Sequence, residues 1–142
     1  MKFYLDSNVF IYAILDRGEK GEAAGKILDA MENEKFSGAT SQITFEEIVF
    51  VVWKEKGKDN AIEAGKSFLE LNNLEIISVE RRTDFLGLEV MKETGLKPRD
   101  ALHLASMELA DLTEMVTEDS DFQKIGEIKK YTLKEFLRKI SK

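Results

Sequence analysis

The sequence predicts an α/β fold, a three-layer α/β/α sandwich with a mostly parallel sheet of four or five strands. Three observations support this prediction. Short apolar runs alternate with longer segments of helical periodicity along the whole chain. Strands that alternate with helices are joined by right-handed crossovers, which makes neighbouring strands parallel. No repeat, low-complexity tract or Pro/Gly-rich linker divides the sequence, so residues 1–142 are expected to form one domain.

The first half of the chain is predicted to contribute two strands and four helices. A strand over 2–5 leads into Asp6, Ser7 and Asn8, which are helix-capping residue types, and then into an apolar helix over 9–15. Gly18 and Gly21 bracket a charged turn before a helix over 22–34. A strand over 36–40 precedes a strongly apolar helix. We expect that helix to be capped by Ser41 or Thr44, to run through Trp53 and to stop at Gly57, with an amphipathic helix over 59–71 after it.

The second half is predicted to complete the sheet. A strand over 75–79 is followed by a helix over 83–93, which Gly95 ends. Pro98 is suited to the first position of a helix that continues over 99–111. A short apolar strand over 114–117 leads into a loop over 118–122. An edge strand over 129–132 and a last helix over 133–140 close the chain.

Composition excludes several classes of chemistry. The chain has no cysteine, which rules out disulfides, thiolate catalysis, zinc fingers and iron–sulfur clusters. His103 is the only histidine, so a multi-histidine metal site is excluded and a Ser-His-Asp hydrolase is disfavoured. No apolar stretch approaches the roughly 20 residues of a membrane span. The start of the chain reaches Asp6 too early for a signal peptide, so we expect a cytoplasmic protein with no membrane partner.

Acidic residues follow the strands or begin the helices at one predicted edge of the sheet. In a parallel sheet, strand C-termini and helix N-termini share the edge at which ligands usually bind. The acids placed there are Asp6, Glu46, Glu47, Asp100, Asp119 and Asp121. Carboxylates gathered at one edge repel one another unless a cation neutralises them, and all-oxygen ligand sets suit Mg²⁺ or Mn²⁺.

Each of these acids also has a purely structural explanation. Asp6 could cap a helix, and Thr44 with Glu47 fits a capping box. Asp100 could be favoured by the dipole of its helix, and residues 118–121 could form a solvated turn. The convergence of all of them is harder to explain in this way, so we favour a metal site that supports phosphodiester hydrolysis.

Four motifs extend this interpretation, because their order and spacing resemble those of a known family. The motifs are Leu5-Asp6-Ser7-Asn8-Val9-Phe10-Ile11, Thr40-Ser41-Gln42-Ile43-Thr44-Phe45-Glu46-Glu47-Ile48, Arg99-Asp100-Ala101-Leu102-His103-Leu104-Ala105 and Val116-Thr117-Glu118-Asp119-Ser120-Asp121-Phe122. The chain thereby resembles PIN-domain ribonucleases of the VapC toxin type over nearly its whole length. One departure is Ser7, which stands where the family more often has Thr.

The resemblance implies a function and a set of site residues. It implies endonucleolytic cleavage of single-stranded RNA with Mg²⁺ or Mn²⁺, by a homodimeric toxin that binds an antitoxin protein. Asp6, Glu47, Asp100 and Asp119 would be catalytic and metal-binding, and Asp121 would assist. Ser7 and Thr117 match hydroxyl positions that orient the acids.

Several assignments stay open from the sequence alone. Glu46 and Glu47 lie about 100° apart on a helix, so only one should face the site, and the spacing from Thr44 favours Glu47. Arg99 could hold a phosphate or be a solvated side chain. His103 could support the site acids from behind or contact RNA, and we favour a purely structural role over both. Phe45, Phe50 and Trp53 belong in a core or at an interface, and for each alone we expect core packing.

Other functions remain as alternatives. The chain could be a PIN-fold RNA-processing nuclease outside a toxin–antitoxin system, or a non-catalytic scaffold for RNA or protein. An aspartyl phosphatase usually has a second Asp where this chain has Asn8. A receiver domain requires a facing Lys that cannot be placed here.

The net charge of −6 does not exclude RNA as a partner. Without the five proposed site acids the net charge would be −1, so the proposed site accounts for most of the excess. The rest is uneven, because residues 124–142 carry seven basic and two acidic residues, a net charge of +5. This basic segment could meet RNA phosphates or an acidic partner segment, and RNA binding should be weak without a divalent cation.

Overall fold

A computed structural model describes all 142 residues and has the predicted α/β/α architecture. The strands are β1 (Lys2–Leu5), β2 (Ser37–Ser41), β3 (Leu74–Ile77), β4 (Glu114–Val116) and β5 (Lys129–Tyr131). The helices are α1 (Ser7–Leu15), α2 (Glu19–Glu32), α3 (Gln42–Lys56), α4 (Lys58–Leu69), α5 (Arg81–Thr94), α6 (Pro98–Leu109) and α7 (Leu133–Ile140), with a 3₁₀ turn over Ser120–Lys124.

All five strands are parallel, in the spatial order β3-β2-β1-β4-β5. From β1 the chain adds strands on one side up to β3, then returns to the other side of β1 with β4 and β5. The strand order therefore reverses between β1 and β4, where Leu5 pairs with Val116. In open α/β sheets such a reversal opens a crevice at the carboxyl ends of the strands.

Two hydrophobic cores cover the two faces of the sheet. Successive residues of β1 point to opposite faces, so Phe3 and Leu5 join a core with α1, α2, α3, α4 and α7. Tyr4 joins the other core, which contains residues of α5, α6 and β4. β1 is the middle strand of the sheet. The residue that follows it, Asp6, therefore lies at the centre of the edge formed by the carboxyl ends of the strands.

Most predicted elements agree with the structure, with local differences. The charged turn over Gly18–Gly21 is wrong in part, because α2 begins at Glu19 and Gly21 is a buried residue within it. The Asp16 carboxylate accepts from the Gly18 and Gly21 amides, which fixes this helix start. A side chain at Gly21 would place its Cβ 1.8 Å from the Asp16 carbonyl oxygen. Only glycine allows this close approach.

Two further predictions need correction. The Ser41 hydroxyl accepts from the Ile43 amide and caps α3, whereas Thr44 is buried within α3 with its hydroxyl 2.7 Å from that of Thr40. The capping box between Thr44 and Glu47 is therefore wrong. The loop over 118–122 is partly helical, since a 3₁₀ turn begins at Ser120.

Two aromatic side chains of α3 lie in solvent rather than in the core. Phe50 is 65% exposed and Trp53 is 53% exposed, so core packing is wrong for both. Phe45 is partly buried and packs against the core beneath α3 and α4. Core packing was expected because α3 is apolar almost all round. In the structure only one side of α3, with Thr44, Ile48 and Val52, is buried.

No helix of the structure combines the length and the apolar character that crossing a membrane requires.

Candidate functional site

The predicted acids meet where the strand order reverses. Asp6 directly follows β1, and Asp119 follows β4. Glu47 lies in the second turn of α3, and Asp100 lies in the first turn of α6. Four segments that are distant in sequence therefore place carboxylates at one edge of the sheet.

Asp6 is fixed by the start of α1 and by the neighbouring strand. Its amide donates to the Val116 carbonyl at 3.0 Å, which extends the pairing of β1 with β4 by one residue. Its Oδ1 accepts from the Ser7 amide at 2.8 Å, and its Oδ2 accepts from the Thr117 hydroxyl at 2.7 Å. Burial raises the pKa of Asp6, although the His103 ring and these two hydrogen bonds pull it down. The carboxyl is 4% exposed, yet both of its oxygens have partners.

Thr117 connects Asp6 to the loop after β4. Its hydroxyl donates to Asp6 Oδ2 and accepts from the Asp119 amide at 2.9 Å. The Asn8 side-chain amide lies 3.2 Å from Asp6 Oδ2 and 3.3 Å from the Thr117 hydroxyl. One threonine hydroxyl thus links the Asp6 carboxylate to the backbone of Asp119.

The structure distinguishes Glu47 from Glu46. The Glu46 side chain is exposed, on the solvent side of α3. Glu47 points into the site, where its Oε2 accepts from the Ser7 hydroxyl at 3.3 Å and lies 3.9 Å from the Arg99 guanidinium. The Ser7 hydroxyl is also 3.5 Å from Asp6 Oδ1, so it lies between the two carboxylates.

His103 is buried beneath these acids. Its Nε2 lies 2.9 Å from Glu47 Oε1 and 3.5 Å from Asp6 Oδ1, and its Nδ1 meets the Tyr4 hydroxyl. The side chain is 1% exposed, so the RNA contact that the sequence left open for it is wrong. Burial alone would lower its pKa, but the hydrogen bond to Glu47 and the charges of Asp6, Glu47 and Asp100 outweigh burial and raise it.

The remaining acids form a more open group. One carboxylate oxygen from each of Asp100, Asp119 and Asp121 lies within 4.8 Å of the others. Asp119 Oδ1 accepts from the Asp121 amide at 2.9 Å, which shapes the loop into the 3₁₀ turn. Burial and the nearby carboxylates of Asp119, Asp6 and Asp121 raise the pKa of Asp100 to about 6, although His103 opposes the shift.

This arrangement fits a hard divalent cation. The donors are carboxylate oxygens, which Mg²⁺ and Mn²⁺ prefer, and no nitrogen or sulfur ligand competes at the open group. Burial is the main cause of the raised pKa of Asp100, and the carboxylates of Asp119, Asp6 and Asp121 add to it, so a cation would relieve part of this cost. Arg99 is exposed at the rim, beside Glu47, where a phosphate oxygen could reach its guanidinium.

Sequence reasoning did not assign two residues that complete the site. Asn8 serves both Asp6 and Thr117, and its Oδ1 accepts from the Glu118 amide at 3.4 Å. A polar amide in the first turn of an otherwise apolar helix was the available signal. Tyr4 is fully buried, and a tyrosine inside a central strand predicts a hydroxyl that needs a partner.

The sequence is similar to a known domain family and to a ribonuclease. The sequence model of the PIN domain matches residues 3–128. A ribonuclease named VapC2 from Methanocaldococcus jannaschii is 24% identical over 144 aligned residues, which cover 87% of this chain and 89% of that protein.

Solved structures of toxin–antitoxin proteins share the fold. VapBC2 from Rickettsia felis, bound to a DNA fragment from its promoter, superposes with a TM-score of 0.70 at 23% identity over 93% of this chain and 98% of that chain. VapC20 from Mycobacterium tuberculosis, described as a toxin that cleaves the sarcin-ricin loop, gives a TM-score of 0.72 at 15% identity, over 87% of this chain and 95% of that chain.

Proposed function

This chain belongs to the PIN domain family, and from that premise we propose that it is a metal-dependent endoribonuclease that cleaves single-stranded RNA as the toxin of a toxin–antitoxin pair. The observation that carries the proposal is the convergence of Asp6, Glu47, Asp100 and Asp119, from four segments, at the point where the strand order reverses. The names of the relatives support RNA as the substrate.

The chain's own carboxylates would hold Mg²⁺ or Mn²⁺. Asp6, Asp100 and Asp119 are the proposed ligands, with Glu47 beside them and Asp121 assisting. When bound, the cation supplies activation of a water nucleophile and stabilisation of charge on the scissile phosphate. Hydrolysis in which water attacks phosphorus and the 3′ oxygen departs would leave 5′-phosphate and 3′-hydroxyl ends.

The other polar residues orient these acids and meet the substrate. Ser7 and Thr117 fix the carboxylates through the hydrogen bonds described above. Arg99 is proposed to contact a phosphate at the rim of the site, because its guanidinium is more than half exposed. The basic segment over 124–142 is a second candidate for phosphate contacts.

We propose two protein partners, an antitoxin and a second copy of this chain. Support comes from the structural likeness to VapBC complexes and from large apolar side chains that this chain leaves in solvent. Phe50 and Trp53 on α3 and Phe85 and Leu88 on α5 are each more than half exposed. Exposed apolar groups of this size are typical of surfaces that bind other proteins. We expect the pair to act in the cytoplasm.

The direct test replaces Asp100 by Asn and measures Mn²⁺ affinity by calorimetry together with cleavage of a single-stranded RNA. We expect the variant to lose cleavage and to bind Mn²⁺ more weakly, because one of the open carboxylates is gone. Glu46→Gln is the matched control, since it removes a charge from an exposed side chain near the site. Full cleavage by Asp100→Asn, or equal losses in both variants, would overturn the proposal.

A further inference from the structure

A buried chain of hydrogen bonds runs from the central strand to the acids. Tyr4, fully buried in β1, meets His103 Nδ1 through its hydroxyl, and His103 Nε2 meets Glu47 Oε1 at 2.9 Å. The same nitrogen is 3.5 Å from Asp6 Oδ1. Every polar atom of the imidazole therefore has a partner, although the ring is almost fully removed from solvent.

The positions of the two carboxylates determine which way the hydrogen bonds run. Ionised carboxylates only accept hydrogen bonds, so Nε2 carries a proton and donates to Glu47. The Tyr4 hydroxyl can either donate to Nδ1 or accept from it. Tyr4 thus fixes the plane of the ring in either protonation state, and the fixed ring keeps Nε2 directed at Glu47.

This chain of contacts joins three of the four segments that carry the acids, namely β1, α3 and α6. Tyr4 lies in β1 two residues before Asp6, and His103 lies one helical turn after Asp100 on α6. Glu47 comes from α3, whose buried residues belong to the core on the opposite face of the sheet from α6. Outside this contact, Glu47 is restrained only by the Ser7 hydroxyl at 3.3 Å and by Arg99 at 3.9 Å. The His103 contact is the shortest of the three.

We propose that His103, oriented by Tyr4, is a positioning residue that fixes the Glu47 carboxylate beside Asp6, in the place where it serves a divalent cation. This inference rests on the proposed function, because it assigns a task to residues of the same site. His103 contacts neither RNA nor the reacting atoms, and its contribution is the orientation of Glu47. Partners of this kind behind metal-site carboxylates are typically worth a factor of 10 to 100 in metal affinity or activity.

The test compares four variants. Tyr4→Phe removes only the hydroxyl that orients the ring. His103→Leu removes both contacts, whereas His103→Gln keeps an N–H donor near the position of Nε2. Ser106→Ala is the matched control, because Ser106 is buried on the same helix and its hydroxyl has no hydrogen-bond partner. Each variant is examined for thermal stability, for Mn²⁺ affinity, and for kcat and KM on single-stranded RNA.

We expect His103→Leu to weaken Mn²⁺ binding by about 10- to 100-fold and to lower kcat with little change in KM. Tyr4→Phe should show a smaller loss, His103→Gln should recover part of the loss in His103→Leu, and Ser106→Ala should match the unaltered protein. A merely structural role would instead lower stability and leave the Mn²⁺ affinity of the folded fraction unchanged. That result, or equal effects of His103→Gln and His103→Leu, would overturn the inference.

Imidazole ¹⁵N spectra supply a readout that needs neither metal nor RNA. Because His103 is the only histidine, its two ring nitrogens give the only imidazole signals. Glu47→Gln should shift the Nε2 signal, Tyr4→Phe should shift the Nδ1 signal, and Ser106→Ala should shift neither. An unmoved Nε2 signal in Glu47→Gln overturns the inference.

The outcomes separate this inference from the proposed function. If the unaltered protein binds no Mn²⁺ and cleaves no RNA, both fail. If it binds and cleaves but Tyr4→Phe and His103→Leu bind Mn²⁺ equally well, only the inference about His103 fails.

Discussion

The two halves of the site are built in different ways. Asp6 and Glu47 form a buried half, in which hydroxyl, amide and imidazole donors meet the carboxylate oxygens. Asp100, Asp119 and Asp121 form an open half, in which the carboxylates mainly face one another. The first half is arranged by the protein itself, whereas the carboxylates of the second half form no ion pair with a basic side chain. The comparison indicates that cation binding should order and stabilise the open half far more than the buried half.

The largest effect expected is a contrast in stability between two variants that are both inactive. Asp6→Ala and Asp100→Ala should each lower RNA cleavage by roughly 10³-fold or more, as removal of a central catalytic group does. Asp6→Ala should also lower the free energy of unfolding by about 1–3 kcal/mol, because the Thr117 hydroxyl and the Ser7 amide lose their acceptor. Asp100→Ala should raise the stability of the metal-free protein at neutral pH, because burial and the neighbouring carboxylates both disfavour the charge that it removes.

Thermal unfolding of the two metal-free variants and of the unaltered protein at pH 7.5 measures these changes in stability. If Asp100→Ala is destabilised as much as Asp6→Ala, the distinction between a buried half and an open half fails.

Thr117 tests the link between the halves, with a smaller effect. Thr117→Val removes the hydroxyl that donates to Asp6 and accepts from the Asp119 amide. We expect a loss of about 1–3 kcal/mol in stability. Cleavage should fall by about 10- to 100-fold. Thr117→Ser keeps the hydroxyl and should recover most of both losses. Equal behaviour of Val and Ser at this position would show that the hydroxyl does not connect the two acids.

The pH dependence of stability sharpens the description of the open half. The pKa of Asp100 is raised to about 6 in the folded protein, above the ordinary value near 3.8, so the folded state holds this proton more tightly than the unfolded state. The resulting stability is complete below about pH 4 and is lost as the pH rises through 6. The raised pKa of the buried Asp6 carboxyl acts in the same direction.

Melting temperatures between pH 4 and pH 8, with and without Mg²⁺, measure this effect. The metal-free protein should lose stability across the interval, and Mg²⁺ should restore it at the upper end. The Asp100→Ala variant should show a flatter profile. A variant profile as steep as that of the unaltered protein would assign the pH dependence to other groups.

The smallest effect is expected at Asp121, the most exposed acid of the open half. Asp121→Asn should reduce cleavage and Mn²⁺ affinity only severalfold, because its contribution is shared with Asp119 and solvent. Glu89→Gln, at an exposed position on α5, is the control for a change in overall charge. If Asp121→Asn lowers cleavage and Mn²⁺ affinity as much as Asp100→Asn does, Asp121 binds the cation directly and the prediction is wrong.

The sequence predicts the acids of both halves, because they follow strands and begin helices whose order in a parallel sheet is constrained. Asp6, Asp100 and Asp119 lie where that order places them, and the helical position of Glu47 favours it over Glu46. The supporting residues were harder to foresee. Tyr4 and Asn8 have partners about 100 residues away in the chain, His103 and Thr117 respectively. Hydrophobic periodicity carries no information about such polar partnerships.

The exposure of Phe50 and Trp53 was missed for a related reason. Apolar periodicity reports how much of a helix avoids water, but it does not say whether the surface that covers it belongs to the same chain. The start of α2 was misplaced because Gly21 usually signals a turn, whereas here it allows a close approach to the Asp16 carbonyl.

The order of strands in the sheet has a consequence during synthesis of the protein. The first acid leaves the ribosome with β1, yet its hydroxyl partner and the last acid of the central group belong to residues 117–119, after β4 has been made. Domains emerge from the N-terminus onward, and pairing between distant strands must wait for the later strand. A nascent chain that ends before β4 therefore contains Asp6, Glu47 and Asp100 but lacks Thr117 and Asp119, so the group of acids is incomplete. A nuclease built in this way should stay inert until nearly the whole polypeptide has been translated.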